Sequence, residues 1–325
     1  LVAFFFAVRF DYHKYQNRTL LILGFVVVVA ALGGVLLWGT GPYGTKRWFN
    51  VFGLSVQPSD FAKPLVLILL AVKLSENQKQ IKHFFTGFVP PLATTLFISF
   101  LIALEPDIGT PFVLGSTAIL LVMMAGARWI HLFQSGLAGV ALVGLYVNTY
   151  PHASDRLQGW LYTLIDPMKY RSGETYQLIQ SLWAFAQGGI WGVGPGGGQQ
   201  KLHYLYAAES DFIFAVCGEE LGLIGTLLIA LLFASFLILG MRIALSAPDL
   251  MGALLAAGIV TLITFQSVVS MGVTTGLLPT KGITLPFISS GGSSLVTVLF
   301  LSGILINIGM QAVPSEDVQK LAVCV

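Results

Sequence analysis

The sequence predicts an all-α, polytopic integral membrane bundle, and three observations predict it. Only 10% of the 325 residues are charged, where a soluble domain carries about 25%. Apolar residues make up 55% of the chain, and the mean hydropathy is +0.82. They gather into stretches of about 20, the length that crosses a bilayer as a helix. The same numbers exclude an ordinary cytosolic enzyme, a disordered protein and a basic nucleic-acid binder, because too few charges remain to solvate a surface or to neutralise a phosphate backbone. Net charge is +2, so no nucleic-acid partner is expected.

Taken in order, residues 1–8 are apolar throughout. They read as the end of a span whose beginning is missing, since a signal peptide would show a basic leader and a small-residue cleavage site. Apolar stretches follow near 19–38, 84–104, 108–126, 129–149, 211–240, 250–272 and 285–309, with a more polar one near 58–74. That makes eight spans and a partial ninth. The stretch 211–240 exceeds one crossing, and is expected to tilt or to begin as a polar turn. Cys217 and Cys324 lie far apart, so neither a disulfide framework nor a metal cluster is expected.

Lys and Arg are retained on the cytoplasmic side of short loops. One set of alternating loops holds Arg9, Lys14, Arg18, Lys73, Lys79, Lys82, Arg128, Arg242 and Lys320, against Lys46, Arg47, Lys63 and Lys281 in the other. This bias places the first set inside and leaves 150–210 as a large extracytoplasmic loop within a single multi-span domain, 1–325. The loop has its own helical pattern, with apolar residues at helical spacing from Glu174 to Phe185 around Trp183. A glycine-rich run from Gly188 to Gly198 follows. Composition alone would make that run a flexible linker, but the interleaved Trp191 and Val193 argue for an ordered segment.

Charges in or at the end of a span each need a reason, because they cost at least about 2.5 kcal/mol near the bilayer centre. Asp60 and Lys63, three apart, share one helix face. They form either a structural ion pair or, through Lys63, a ligand for an anionic headgroup. In Glu105-Pro106-Asp107-Ile108-Gly109-Thr110 the proline and glycine break the helix, and Asp107 either caps the next one or has a direct chemical role. Asp211, flanked by aromatics, is either an N-cap or a partly desolvated carboxylate able to accept a proton. Glu219 and Glu220 fall deeper in their span. From Gly276 to Ser294, prolines, glycines and hydroxyls break the helix around Lys281. Irregular backbone at that depth is tolerated when buried in protein or lining a wet cavity, and free N–H groups beside Lys281 suit a phosphate or pyrophosphate.

Together these residues resemble the SEDS proteins (shape, elongation, division and sporulation), membrane glycosyltransferases that polymerise the lipid-linked peptidoglycan precursor lipid II. The matching segments are Arg47-Trp48, Gln57-Pro58-Ser59, Pro106-Asp107-Ile108-Gly109-Thr110, Tyr176-Gln177, Ser181, the glycine-rich loop with Lys201, Ser210-Asp211-Phe212, Gly218-Glu219-Glu220-Leu221-Gly222, and Leu278 to Ser294. They run in the family's order over nearly the whole chain. Pro279-Thr280-Lys281-Gly282 and Glu209 to Phe214 look more like the division branch, FtsW, than the elongation branch, RodA. The family has ten spans, of which about nine would be represented here.

The resemblance implies a peptidoglycan glycan-strand polymerase. In an inverting transfer, the 4-hydroxyl of one lipid II would attack the anomeric carbon of a glycan held on undecaprenyl pyrophosphate, with Asp211 as catalytic base. Arg47, Lys63, Lys201, Lys281, Ser289 and Ser293 would bind substrate, and Asp60, Glu105, Asp107, Glu219 and Glu220 would support them. No cofactor is implied; a divalent cation is allowed but no tight ligand cluster demands one. Implied partners are lipid II, a class B penicillin-binding protein, and other divisome or elongasome membrane proteins, at the bacterial inner membrane with the active site on its outer face. The alternative is a lipid II flippase, which would also need an anion-binding cavity and broken helices but no base at one face. Departures from the family wording fall at Tyr206, Ala207 and Glu209, where Pro, Glu and His are usual, and at Asp60, Ser270 and Ser290, where Glu, Asn and Tyr are usual.

Overall fold

A computed structural model describes residues 1–41, 45–51, 53–105, 107–149, 151–165, 174–200, 205 and 207–312. Among them the helices are α1 (Val2–Arg9), α2 (Arg18–Trp38), α3 (Pro58–Glu76), α4 (Val89–Ala103), α5 (Gly109–Met124), α6 (Trp129–Thr149), α7 (Pro151–Ile165), α8 (Glu174–Gly188), α9 (Ile213–Leu245), α10 (Leu250–Thr274) and α11 (Gly292–Met310). By length and composition α2, α9, α10, α11 and the segment Phe84–Ala103, which ends in α4, can each cross a membrane. The other three expected spans are occupied by α3, α5 and α6, and the opening fragment by α1. The chain is a multi-pass membrane protein.

Local chemistry sets several boundaries. The Asn17 side chain accepts the Thr19 N–H and starts α2, and Pro58 opens α3 at a position where its missing N–H costs nothing. Between α2 and α3 lies a hairpin that the helical reading did not anticipate: β1 (Phe49–Val51) pairs antiparallel with β2 (Leu54–Val56), with Asn50 opposite Ser55. Its turn passes through Gly53 at φ +81°. The alternation of apolar and polar residues from Phe49 to Val56 is the signal that marks it.

The chain forms two compact units. The first comprises Leu1–Leu132, Phe236–Ile263 and the segment from Gly292 onward. There α1 packs on α11, where a β-carbon at Gly303 would lie 2.6 Å from the Phe4 carbonyl oxygen. Asn307 ties the two together, donating to the Val8 carbonyl and accepting the Tyr12 N–H. The second comprises Phe133–Ser235 and Thr264–Gly291. In it the Trp160 indole donates to the Gly276 carbonyl at 2.8 Å, and the Ser181 hydroxyl to Thr274 at 2.6 Å. Ala184, Leu205, Phe212 and Ala215 form a buried cluster beside them.

Within 150–210 the structure describes α7 ahead of the anticipated helix, α8, and one expectation, the start of the last span, is corrected. The last span begins at Gly292 rather than near 285, since Pro286 and the bonds of Ser289 hold 285–291 as loop. The stretch 211–240 begins as the expected turn, at Asp211 and Phe212, and runs on from Ile213 as one uneven helix broken at Gly222, whose φ of +66° and ψ of −164° leave the helical region. Glycine reaches that conformation without the steric penalty a β-carbon imposes.

Candidate functional site

In the second unit, the approach to α9 folds around one carbonyl. Ala207 stands at φ +55°, and its oxygen accepts the N–H groups of Ser210, Asp211 and Phe212 at 3.1, 3.1 and 3.2 Å. This tight turn leaves Asp211 half-buried, two residues before α9 begins. The irregular segment before α11 is laced onto the same turn. The Ser289 hydroxyl donates to the Ser210 carbonyl at 2.6 Å and accepts the Leu285 N–H at 2.7 Å, while the Ser290 N–H donates to the Glu209 carbonyl at 3.0 Å. From α10, the Gln266 amide donates to the Thr284 carbonyl at 2.8 Å. These bonds bring the Lys281–Gly282 turn to Asp211: a β-carbon at Gly282 would lie 2.9 Å from Asp211 Oδ2. The Asp211 carboxylate and the exposed Gly282, next to Lys281 in sequence, thus share one place. Gly282 and Gln266 were not singled out from the sequence; for Gly282 the signal available was its position directly after Lys281.

Glu219 and Glu220 organise the glycine-rich run. Glu219 is 1% exposed, and its Oε1 accepts the Gln199 N–H at 2.7 Å while its Oε2 accepts that of Gln200 at 3.2 Å. Glu220 Oε2 accepts the Gly196 N–H at 3.0 Å. Main-chain bonds add to this, from Val193 to Glu219 and from Leu223 to Gly189. The run is therefore an ordered element seated on the break in α9, with carboxylates satisfying donors that the irregular backbone would otherwise bury.

Six further candidates, Asp60, Lys63, Asp107, Arg47, Glu105 and Ser293, lie in the first unit. Lys63 Nζ donates to Asp60 Oδ1 at 2.8 Å, with each residue 6% exposed. Asp107 stands just ahead of Ile108, the N-cap of α5, and binds the first turn, its Oδ1 accepting the Thr110 N–H and its Oδ2 the Thr110 hydroxyl, as the capping alternative expects. Arg47 Nε donates to the main-chain carbonyl of Glu105 at 3.0 Å. The Glu105 side chain is fully buried, and among the described residues neither carboxyl oxygen has a hydrogen-bond partner. Burial above all, with Asp107 adding, pushes its pKa up to about 8, against the pull of Arg47. Ser293 accepts the Gln57 N–H and donates to the Ser55 carbonyl, so its hydroxyl joins the hairpin to the start of α11. Lys201 and Tyr206 lie outside the described residues. Of the departures, Glu209 and Ser290 are exposed and Ser270 is buried. Among the described residues no three of His, Cys, Asp or Glu gather as a metal-holding group.

A family model described as cell cycle protein, covering FtsW, RodA and SpoVE, matches residues 1–313. Stage V sporulation protein E of Bacillus subtilis is 41% identical over 313 residues, 95% of this chain and 83% of that protein. A probable peptidoglycan glycosyltransferase FtsW of Geobacter metallireducens is 39% identical over 308 residues, 94% and 80% of the two chains. Among solved structures, a chain from a peptidoglycan synthase complex that coordinates polymerization and crosslinking superposes with a TM-score of 0.78 at 27% identity, covering 96% of this chain and 86% of that one. The Thermus thermophilus rod shape determining protein RodA superposes with a TM-score of 0.66 at 24% identity, over 97% and 85%, and shares the fold.

Proposed function

Since the chain belongs to the FtsW, RodA and SpoVE family of cell cycle proteins, we infer that it is a peptidoglycan glycosyltransferase that polymerises glycan strands from lipid II. The observation that carries the mechanism is the Asp211 carboxylate held against the Lys281–Gly282 turn. In the reading we propose, the 4-hydroxyl of an acceptor sugar approaches the anomeric carbon of a donor held on undecaprenyl pyrophosphate. Asp211 accepts the hydroxyl proton as the new oxygen–carbon bond forms, a role worth about 10²–10⁴-fold in rate. The bond from the anomeric carbon to the phosphate oxygen breaks, and the pyrophosphate leaves with the electron pair. Lys281 stands next to Gly282 in sequence and supplies positive charge where that negative charge develops. Displacement from the opposite face inverts the anomeric centre.

The bias of Lys and Arg supports an active site on the outer face of the inner membrane. The likeness to a chain of a complex that coordinates polymerization with crosslinking supports a class B penicillin-binding protein as partner. A divalent cation remains compatible with the pyrophosphate. The test is direct: purified protein with its transpeptidase partner is incubated with lipid II and the products are separated by size. Glycan polymer is expected; lipid II moved across vesicles without polymer would favour a flippase.

A further inference from the structure

On the cytoplasmic side by the charge bias, a cavity of about 490 Å³ opens between α2, α3 and α4 of the first unit, within the size range of small-molecule sites. Its walls change character with depth. On α2, Arg18 stands at the first helical position and Leu21 and Phe25 follow at spacings of three and four, so all three lie on one helix face. On α3, Lys73 lies in the last turn with Leu69 one turn further in. Because the start of α2 and the end of α3 line the same cavity, both cations stand at one end of it, the end that the charge bias turns to the membrane surface and so its mouth. The apolar side chains lie about one to two turns deeper, roughly 5 to 10 Å at 1.5 Å per residue. Thr94 of α4 also lines it.

Polar at the mouth and apolar below is the profile of a phospholipid lying along the protein. Glu76 at the same mouth offsets one of the two cations, leaving a single surplus positive charge, reinforced by the N-terminal end of α2. That balance matches one phosphodiester better than a zwitterionic headgroup, whose own cation would be superfluous. Basic pockets between spanning helices on the cytoplasmic side are suited to anionic headgroups in this way. We propose that this groove holds one anionic phospholipid of the inner leaflet, its phosphate between Arg18 and Lys73 and an acyl chain along Leu21, Phe25 and Leu69.

The test is native mass spectrometry of the full chain after equilibration in detergent with equal phosphatidylglycerol and phosphatidylcholine. One phosphatidylglycerol is expected to be retained preferentially. In the Arg18→Gln, Lys73→Gln double variant that preference is expected to fall about tenfold or more, as two basic groups at a lipid surface contribute, while Arg18→Lys, Lys73→Arg keeps it. Thr94→Trp, which fills the groove and leaves the charges alone, is expected to lose the lipid as well. Equal retention of both lipids by the unmodified protein would overturn the proposal whether or not the variants fold. So would an unchanged preference in the double variant. Displacement of the lipid by inorganic phosphate would also overturn it, by showing that the acyl chain contributes nothing.

Discussion

Asp211 and Gly282 are in contact by necessity: the carboxylate occupies the space a side chain at 282 would need, so that a β-carbon there would meet Asp211 Oδ2 at 2.9 Å. Gly282 does not require glycine for its φ, and it is exposed. Its replacement therefore acts through the carboxylate.

Gly282→Ala is expected to lower lipid II polymerisation about tenfold to a hundredfold, since a displacement of about 1 Å at a reacting group can cost that much. Thermal stability should change by no more than about 0.5 kcal/mol, as for other exposed positions. Steady-state polymerisation rates beside a melting curve check both halves. Unchanged rates would mean that Asp211 tolerates displacement.

Glu105 makes stability depend on pH. Its folded pKa of about 8 lies above the ordinary value of 4.5, so between these two values the folded chain holds a proton that the unfolded chain has released. Stability from this group is complete below about pH 4.5 and is lost as pH rises through 8. Glu105→Gln, a neutral isostere, is expected to melt several degrees higher than the parent at pH 8.5 and to flatten the fall between pH 5 and 8. Parallel slopes in the two proteins would show that Glu105 is ionised throughout.

The buried pair of Asp60 and Lys63 is expected to show non-additive stability. Removing one partner leaves an uncompensated buried charge, a loss of about 3–5 kcal/mol. Lys63→Met alone should therefore be strongly destabilised, and Asp60→Asn combined with Lys63→Met should regain most of the loss. Denaturation of the two single variants and the double closes the cycle. Additive losses would mean that each charge is satisfied by other groups.

Much of the fold was legible because spanning helices leave continuous apolar runs: α2, α10 and the body of α11 follow from them. The pairing of Asp60 with Lys63 was legible as well, since a spacing of three puts both on one face. What the runs hide is long-range bonding. Apolar residues resume directly after Glu219-Glu220 and run on past Gly222, and the break becomes clear only when Gln199 and Gln200, remote in sequence, donate to Glu219. Likewise Leu285 to Ile288 look like the start of a span until Ser289 is seen to hold them against Ser210. Asp211 stood out by its aromatic flanks. Its neighbour Gly282 did not, because no local pattern links two positions so far apart in the chain.

Whether Asp211 accepts the proton of the attacking hydroxyl is read from the rate of glycan polymerisation from lipid II with purified Asp211→Asn, Glu209→Gln and the double variant. Glu209 is included because its carboxylate lies two residues away and is exposed, able to substitute. Asn keeps the shape and capping ability of Asp, so folding should persist in all three. Asp211→Asn and the double variant are expected to lose about 10²–10⁴-fold, while Glu209→Gln stays within a small factor of the parent. Full polymerising activity in the folded double variant would contradict proton acceptance by Asp211.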